Sequence, residues 1–287
     1  MMTLLQPLQP PEIQHGLLHP GYCYQEYRPA LPLRQVVACY WNSYAAPGNA
    51  SIEHRVIPDG CIDIIFDLMA GQVTGSAFIS QLMCRYEMMS VGQPMHCFGV
   101  RMYAGEAARI LGLPAGSLYG CEVTLQNLYG SAADAITEQI ICAENVTARI
   151  SLLDHWLCRK WEQQDTAPPS LFTAALQYIQ SERGNITLSG LADELHYSER
   201  TIRRLFQQQL GISPKEIAGI IRFQSMLHSW QLQSAHPDSM SRHRFSDLAA
   251  AHGYYDQSHL NRAFKQYYGL APGQVIQSSG DRAEILE

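Results

Sequence analysis

Short runs of strand-like sequence, punctuated by turn residues, dominate the chain between residues 35 and 102. The runs are rich in β-branched and aromatic side chains, which favour strands, and Pro58-Asp59-Gly60 between two of them is typical of a turn. The pattern predicts a small antiparallel barrel or sandwich. Its strands are expected at 35–44, 52–57, 61–67, 77–82, 85–91 and 96–102. Residues 1–33, rich in Pro and Gln without periodicity, predict an extended arm with loops.

After Gly105 the apolar residues recur at helical spacing, which predicts helices at 106–111, 132–143 and 147–161. Pro168-Pro169 then marks a linker at 163–170. The fold class expected is α+β and multidomain, with an N-terminal antiparallel β-rich barrel or sandwich, its own C-terminal helices, and then an all-α domain. The expected domains are 1–165 (β-rich 35–102, helical 105–164) and 171–276, followed by a tail at 277–287.

The segment 186–211 has the pattern of two short helices joined by a tight turn. Leu188, Leu191 and Leu195 share the inner face of the first helix, and Ser198 is a good N-cap for the second. On the second helix Ile202, Leu205 and Phe206 point inward. Its outward positions are Arg200, Arg203, Arg204 and Gln207. A helix pair of this kind, with a basic outer face on the second helix, is typical of a DNA-reading helix-turn-helix.

A second unit of the same kind occupies 245–269, where Gly253 permits the turn and Asp256 can cap the following helix. The residues left available to DNA are Gln257, Ser258, His259, Asn261 and Arg262. A long amphipathic helix at 214–231 joins the units, so two recognition helices can enter major-groove segments about 34 Å apart. A single such unit is as often an ordinary helical hairpin, but two with matching spacing favour DNA binding.

Residues 186–276 resemble the DNA-binding domain of the AraC/XylS family of transcriptional regulators. The motifs that carry the resemblance are Gly253-Tyr254-Tyr255-Asp256-Gln257-Ser258-His259-Leu260, Arg262-Ala263-Phe264-Lys265, Gly269, Pro272, Leu191-Ala192, Arg204-Leu205-Phe206, Gly211, Ser213-Pro214 and Arg222. The chain departs from the family at Met226, where Ala is usual, and in a longer connection at 234–244, which leaves the placement of the two units open.

The resemblance implies a sequence-specific regulator whose partner is double-stranded DNA. It implies base reading by Arg200, Arg203 and Arg204 in the first unit and by Gln257, Ser258, His259 and Arg262 in the second. Ser198 and Gln207 are expected on phosphates. Arg204 is equally compatible with a phosphate or structural role, and His259 with capping a partly buried site.

The N-terminal part, with Ile57-Pro58-Asp59-Gly60-Cys61 and Phe98-Gly99-Val100-Arg101, resembles a domain of uncharacterised role found on some family members. Such domains sense a ligand, dimerise, or both. The expected partners are therefore a second copy, bound through the helices at 131–164, a small-molecule effector and, for an activator, RNA polymerase. The rival hypothesis is a DNA-modifying or repair enzyme with an appended DNA-binding module, although no catalytic signature, and so no catalytic residue, is found.

Charge supports this division of the chain. The net charge is −6, but residues 171–276 hold 10 basic and 8 acidic side chains whereas residues 1–170 hold 9 and 15. We expect no signal peptide, no membrane span and a cytoplasmic protein with reduced thiols. No cofactor and no metal are expected, and the protein is not expected to be an enzyme.

Three N-terminal features are candidate sites of chemistry. The eight cysteines (23, 39, 61, 84, 97, 121, 142 and 158) all precede residue 171 and suggest a thiol sensor, but core positions are commoner for such residues. Asp59, Asp63 and Asp67 recur at a period of four, which suggests metal less than turn and surface positions. His54, Arg55, His96 and Arg101 could line a pocket for an anionic or sugar-like ligand, although solvated strand positions are favoured.

Overall fold

The N-terminal part of the chain folds into antiparallel sheet, as its β-branched and aromatic runs with turn punctuation predict. The computed structural model describes residues 5–10, 21–46, 52–91, 94–112, 114–118, 123–163, 170–234 and 243–275. Within these ranges the strands are β1 (Tyr22–Tyr27), β2 (Val37–Ala45), β3 (Ile52–Val56), β4 (Cys61–Asp67), β5 (Ala77–Ile79), β6 (Glu87–Val91), β7 (Met95–Tyr103) and β8 (Val123–Thr124).

Six of these strands form one sheet in the order β1-β2-β7-β4-β5-β8, and β3 and β6 form a separate two-stranded sheet. Every pair is antiparallel. The extended arm expected over 1–33 is wrong for residues 22–27, which form β1 and pair with β2 from Tyr22↔Ala45 to Tyr27↔Tyr40. The partner strand supplies the hydrogen bonds that make this segment a strand, and the local pattern does not reveal it.

Four helices follow the sheet: α1 (Ala104–Leu111), α2 (Leu125–Tyr129), α3 (Ser131–Cys142) and α4 (Val146–Glu162). Ile140 of α3 and Leu153 of α4 are fully buried in the same apolar cluster as Tyr40, Phe66 and Phe98 of the sheet. The helices predicted at 106–111, 132–143 and 147–161 are thus present within one or two residues of the expected bounds.

The C-terminal part is all helical. It contains α5 (Leu171–Ser181), α6 (Leu188–Leu195), α7 (Glu199–Leu210), α8 (Pro214–Ser234), α9 (His243–Ala251) and α10 (Gln257–Tyr267). Helix α5 was not predicted; Ser170 caps it, and Phe172, Ala175 and Ile179 bury its inner face. The fold class expected from the sequence is confirmed. Residues 164–169, 235–242 and 276–287, in the expected linker, the long connection and the tail, lie outside the described residues.

One continuous apolar cluster includes residues of both parts, among them Met102 of β7, Leu111 of α1 and Phe206 of α7. The sheet and the helix-turn-helix units therefore pack against each other through buried surface. Among the described residues no helix is long and apolar enough to cross a bilayer.

Candidate nucleic-acid interface

The first helix-turn-helix is built from α6, a short turn and α7. Helix α6 ends at His196 in the left-handed region, with φ of 57°, and Ser198 then begins the next helix by accepting a hydrogen bond from the Thr201 N–H at 3.1 Å. Gly211, with φ of 74°, ends α7. Ser198 and Gly211, the residues predicted to begin and end this helix, lie at its two ends. Local side-chain and backbone chemistry therefore determines the length of α7.

Helix α7 has one buried face and one polar face. Ile202, Phe206 and Leu210 are buried, and Leu205 is half-buried to one side of them. The four outward residues expected to contact DNA, Arg200, Arg203, Arg204 and Gln207, are all exposed. At 3.6 residues per turn they lie on one side of the helix, so three guanidinium groups are presented to solvent together.

Two hydrogen bonds modify this polar face. The Arg203 guanidinium forms an ion pair with Glu199 at 3.0 Å, with the two side chains 64% and 45% exposed. Gln207 donates from Nε2 to the Gly211 carbonyl at 3.0 Å, at the end of the helix. Glu199 was not singled out from the sequence, although its spacing of four residues from Arg203 is a signal that would have found it.

The second unit, α9 and α10, repeats the design with a turn that is two residues longer: residues 252–256 separate its helices, against 196–198 in the first unit. Gly253 takes the left-handed conformation, and Asp256 caps α10 by accepting from the His259 N–H at 2.6 Å. The predicted contact residues Gln257, Ser258 and Arg262 are exposed. Tyr255, in the longer turn, is 93% exposed and is not among the residues that the sequence predicts to contact DNA.

His259 is held by local structure. Its Nδ1 accepts from the Tyr255 N–H at 3.3 Å, and its ring meets the Tyr254 ring edge-to-face with centroids 5.2 Å apart. This geometry favours the capping role over base reading for His259.

Arg222 of α8 ties the two units together. Its Nε and Nη2 donate to the Gly184 carbonyl at 3.1 and 2.8 Å, and its Nη1 donates to the Gly253 carbonyl at 3.3 Å. Gly184 precedes α6 and Gly253 lies in the second turn, so one side chain joins the entrance of one unit to the turn of the other. Met226, the departure noted in the linking helix, is fully buried.

The four basic residues proposed as an N-terminal pocket do not line one pocket: His54 and Arg101 lie near each other, whereas Arg55 and His96 have other neighbours. Arg55 packs on Tyr86 and Tyr268, His54 lies beside Tyr22, and His96 contacts Asn42 at 3.1 Å. Arg101 is enclosed by carboxylates: Glu26 at 3.0 Å, Asp59 at 3.1 Å and Asp63 at 3.2 Å. Because these carboxylates occupy its guanidinium, Arg101 is not free to bind an anion.

The preference for solvated positions was wrong for Arg101 and Asp63. Both are buried on the sheet face that carries Trp41, whose indole N–H donates to Asp63 at 2.8 Å. Burial raises the pKa of Asp63 to about 6, against the opposing effect of Arg101. The period of two along the strands shows which residues share a face, but not that this face is buried.

The described cysteines are free thiols, and most are unsuited to rapid thiol chemistry. Burial raises the pKa of the thiols at Cys39, Cys61, Cys84, Cys97 and Cys158. A raised pKa lowers the thiolate fraction, which is the reactive form. Cys23 and Cys142 are exposed, and Cys121 lies outside the described residues. Within the described part of the chain, no group of three His, Cys, Asp or Glu residues is arranged to hold a metal ion.

Comparison with known proteins agrees with this geometry. Residues 191–278 match a family described as "Helix-turn-helix domain", and residues 25–124 match a "Domain of unknown function (DUF6597)". An "Uncharacterized HTH-type transcriptional regulator" of Haemophilus influenzae is 26% identical over 149 residues. That alignment covers 50% of this chain and 47% of the relative, so the match spans about half the length of each protein.

Two solved structures of ToxT from Vibrio cholerae are also similar. One gives a TM-score of 0.40 at 12% identity, covering 90% of this chain and 99% of ToxT. The other, from strain O395, gives 0.37 at 11%, covering 90% and 98%. Similarities of this size carry no functional argument, and the assignment rests on the sequence matches. Residues 191–278 thus form an AraC-type helix-turn-helix domain, preceded in the chain by a domain of the DUF6597 type.

Proposed function

We propose that this protein is a sequence-specific transcriptional regulator that reads double-stranded DNA with α7 and α10. The observation that carries the proposal is the face of α7, where Arg200, Arg203 and Arg204 are exposed together while the opposite face is buried. Arginine pairs with guanine through two hydrogen bonds and with phosphate through its planar fork. The helix-turn-helix match over 191–278 supports the same function.

Base reading is assigned to Arg200, Arg203 and Arg204 in the first unit, and to Gln257, Ser258 and Arg262 in the second, with His259 in a supporting position. Ser198 and Gln207 are assigned to phosphates. On this proposal the regulator works in the cytoplasm, forms a homodimer through the helices at 131–164 and contacts RNA polymerase. The N-terminal domain responds to a small-molecule effector. The alternative, a DNA-modifying or repair enzyme with an appended DNA-binding module, is not favoured, because the helix-turn-helix match and the regulator relative both support regulation.

The test is selection of bound sequences from a randomised pool of double-stranded DNA by the full-length protein, followed by affinity measurement on the selected site. We expect Arg203→Ala to weaken binding by roughly fivefold to a hundredfold and to relax the preference at one base pair, as for the loss of one bidentate base contact.

Arg159→Ala is the matched control, because Arg159 is an exposed arginine on α4 of the N-terminal part. An unchanged affinity and preference for Arg203→Ala would remove Arg203 from the interface. Failure of the wild-type protein to enrich any sequence would contradict the proposed function.

A further inference from the structure

The N-terminal part touches each of the three pieces of the DNA-binding part. It meets the end of the first recognition helix α7, the middle of the linking helix α8, and the end of the second recognition helix α10. Each contact involves different residues.

At the first recognition helix, the 3-10 turn Ala115–Leu118 lies on the C-terminal end of α7. A Cβ built on Gly116 would lie 2.7 Å from the Gly211 nitrogen and 3.2 Å from the Gln207 carbonyl oxygen, so backbone packs directly on backbone. Leu205 and Gln209, on the side of α7 away from the arginines, face the α1 region across an open groove. The N-terminal part therefore docks without covering Arg200, Arg203 and Arg204.

At the linking helix, Gln224 of α8 is 2% exposed and fully engaged by the N-terminal part. Its Oε1 accepts from the Leu8 N–H at 2.8 Å, and its Nε2 donates to the carbonyls of Leu8 at 3.2 Å and Pro58 at 2.9 Å. These hydrogen bonds fix α8 to the Pro58-Asp59-Gly60 turn that joins β3 to β4.

At the second recognition helix, the contact is made by Arg55 of β3. Its guanidinium carbon lies 5.3 Å from the ring centroid of Tyr268, at the end of α10, and 5.7 Å from that of Tyr86. The Tyr86 ring in turn covers Gly269, where a Cβ would come within 2.5 Å of it. Arg55 is thus held between one ring of the N-terminal part and one ring of the second helix-turn-helix, a geometry that favours a cation.

Arg222 already fixes the turn before α10, through the Gly253 carbonyl. Arg55 and Tyr86 act at the opposite end of the same helix. A helix held only at its first turn can pivot, whereas a helix held at both ends keeps its direction.

From these three contacts we infer that the N-terminal part sets the spacing and tilt of the two recognition helices, with Arg55 as a positioning residue for α10. The inference rests on the proposed function, because it concerns how both helices meet one DNA duplex. It adds a role for residues outside the helix-turn-helix domain: Arg55 and Tyr86 narrow the range of half-site spacings that the protein accepts.

The experiment uses the full-length protein and the DNA site that it selects from a randomised pool. Affinities are measured for that site and for versions with one base pair inserted or deleted between the two contacted segments. One base pair shifts the second segment by about 3.4 Å along the axis and rotates it by about 34°. Two helices held rigidly relative to each other cannot both reach their DNA segments after that change.

For the wild type we expect roughly a tenfold or larger loss on insertion or deletion, since one recognition helix loses its contacts. For Arg55→Ala we expect affinity for the selected site to fall roughly fivefold, the scale of a lost cation–π contact. The spacing penalty is the factor by which affinity falls when one base pair is inserted or deleted. We expect this factor to be at least severalfold smaller for Arg55→Ala than for the wild type. Arg55→Lys retains the cation and should keep most of the penalty.

Arg85→Ala is the matched control, since Arg85 is an exposed arginine just before β6. Tyr86→Leu should reproduce Arg55→Ala and Tyr86→Phe should resemble the wild type, because the ring face and not the hydroxyl makes the contact. Should Arg55→Ala fail to fold, as shown by thermal unfolding, the two Tyr86 variants decide.

Equal spacing penalties in the wild type, folded Arg55→Ala and Tyr86→Leu would overturn the inference while leaving the proposed function intact. Absence of any enriched sequence would overturn the proposed function and this inference with it.

Discussion

Single side chains determine the charge on the exposed face of α7, the helix proposed to read DNA in the first unit. The face of α7 carries three exposed arginines, yet Glu199 pairs with Arg203 and reduces the positive charge there. An exposed ion pair contributes little to stability, so this pair is readily exchanged for a contact with DNA. The net charge of the free face is therefore smaller than a count of its arginines indicates.

Glu199→Gln should tighten binding to the selected DNA by roughly twofold to fivefold, because it releases Arg203 and removes a negative charge beside the phosphates. The measurement is a titration of labelled DNA at two salt concentrations. Glu194→Gln, at an exposed position on α6, is the control. Weaker binding by Glu199→Gln would instead show that the carboxylate itself contacts a base.

Buried titratable groups in the N-terminal sheet make stability depend on pH. Burial, together with nearby Arg101, lowers the pKa of His54 to about 4, so the folded protein disfavours its protonation. This contribution to the free energy of unfolding is present above the unfolded pKa of about 6.5 and is lost as pH falls towards 4. Asp63, with its pKa raised to about 6, acts in the opposite sense: its contribution is present at low pH and is lost as pH rises through about 6.

His54→Gln removes one of these two opposing effects. Between pH 7 and pH 4.5 the wild type should lose about 2 kcal/mol more unfolding free energy than the variant. The reason is that the unfolded wild type gains a proton at His54 that the folded state does not. Urea unfolding at the two pH values measures this difference. His155→Gln, at an exposed site on α4, should follow the wild-type profile. The same profile for His54→Gln would show that His54 titrates normally in the folded protein.

At the scale of elements, each recognition helix begins at a side-chain cap and is held by the linking helix. Ser198 and Asp256 accept hydrogen bonds from N–H groups in the first turns of α7 and α10. Arg222 on α8 joins the two units through the carbonyls of Gly184 and Gly253. Local caps thus set where each helix starts, and one arginine helps set how the two units meet.

Ser198 combines the two roles of helix cap and proposed phosphate contact, and two substitutions separate them. Ser198→Ala should cost about 1 kcal/mol of stability by removing the cap. Ser198→Asp keeps a capping oxygen and should preserve stability, but its charge should weaken binding to the selected DNA at low salt. Urea unfolding and DNA titration give the two readouts. Unimpaired DNA binding by Ser198→Asp would place Ser198 away from the phosphates.

At the scale of the whole molecule, the two parts share buried surface and backbone contacts. Gly116 meets Gly211, and a Cβ on Gly105 would lie 2.4 Å from the Leu176 side chain. Small residues at these positions let α1 and the 3-10 turn approach α5 and α7 closely. The helix-turn-helix part consequently packs directly against the N-terminal part.

Gly116→Val should open this interface, because its Cβ would collide with backbone atoms of Gly211 that cannot move aside without bending α7. We expect a larger radius of gyration by small-angle X-ray scattering and less cooperative thermal unfolding. Gly71→Val, where a Cβ meets nothing within 4 Å, is the matched control. Identical scattering and unfolding for Gly116→Val and the wild type would show that the docked arrangement does not depend on this contact.

The two helix-turn-helix units were predictable because their signals are local. Apolar residues at helical spacing, a capping Ser or Asp, and a glycine able to adopt positive φ fall within about 25 residues of one another in each unit. The exposed arginines of α7 followed directly from that spacing. The turn chemistry at Pro58-Asp59-Gly60 likewise placed β3 and β4.

Two features of the N-terminal part depend on residues far apart in the chain. One is the pairing of β1 with β2, and the other is the burial of Arg101 among Glu26, Asp59 and Asp63. So do the contacts of Arg55 and Gln224 with the opposite part of the molecule. Periodicity reports which side of an element faces inward, but not which element covers it. The sequence by itself determined the two helix-turn-helix units, through local caps and spacing. Only the tertiary structure decided how those helices are held, because that depends on long-range packing between the two parts.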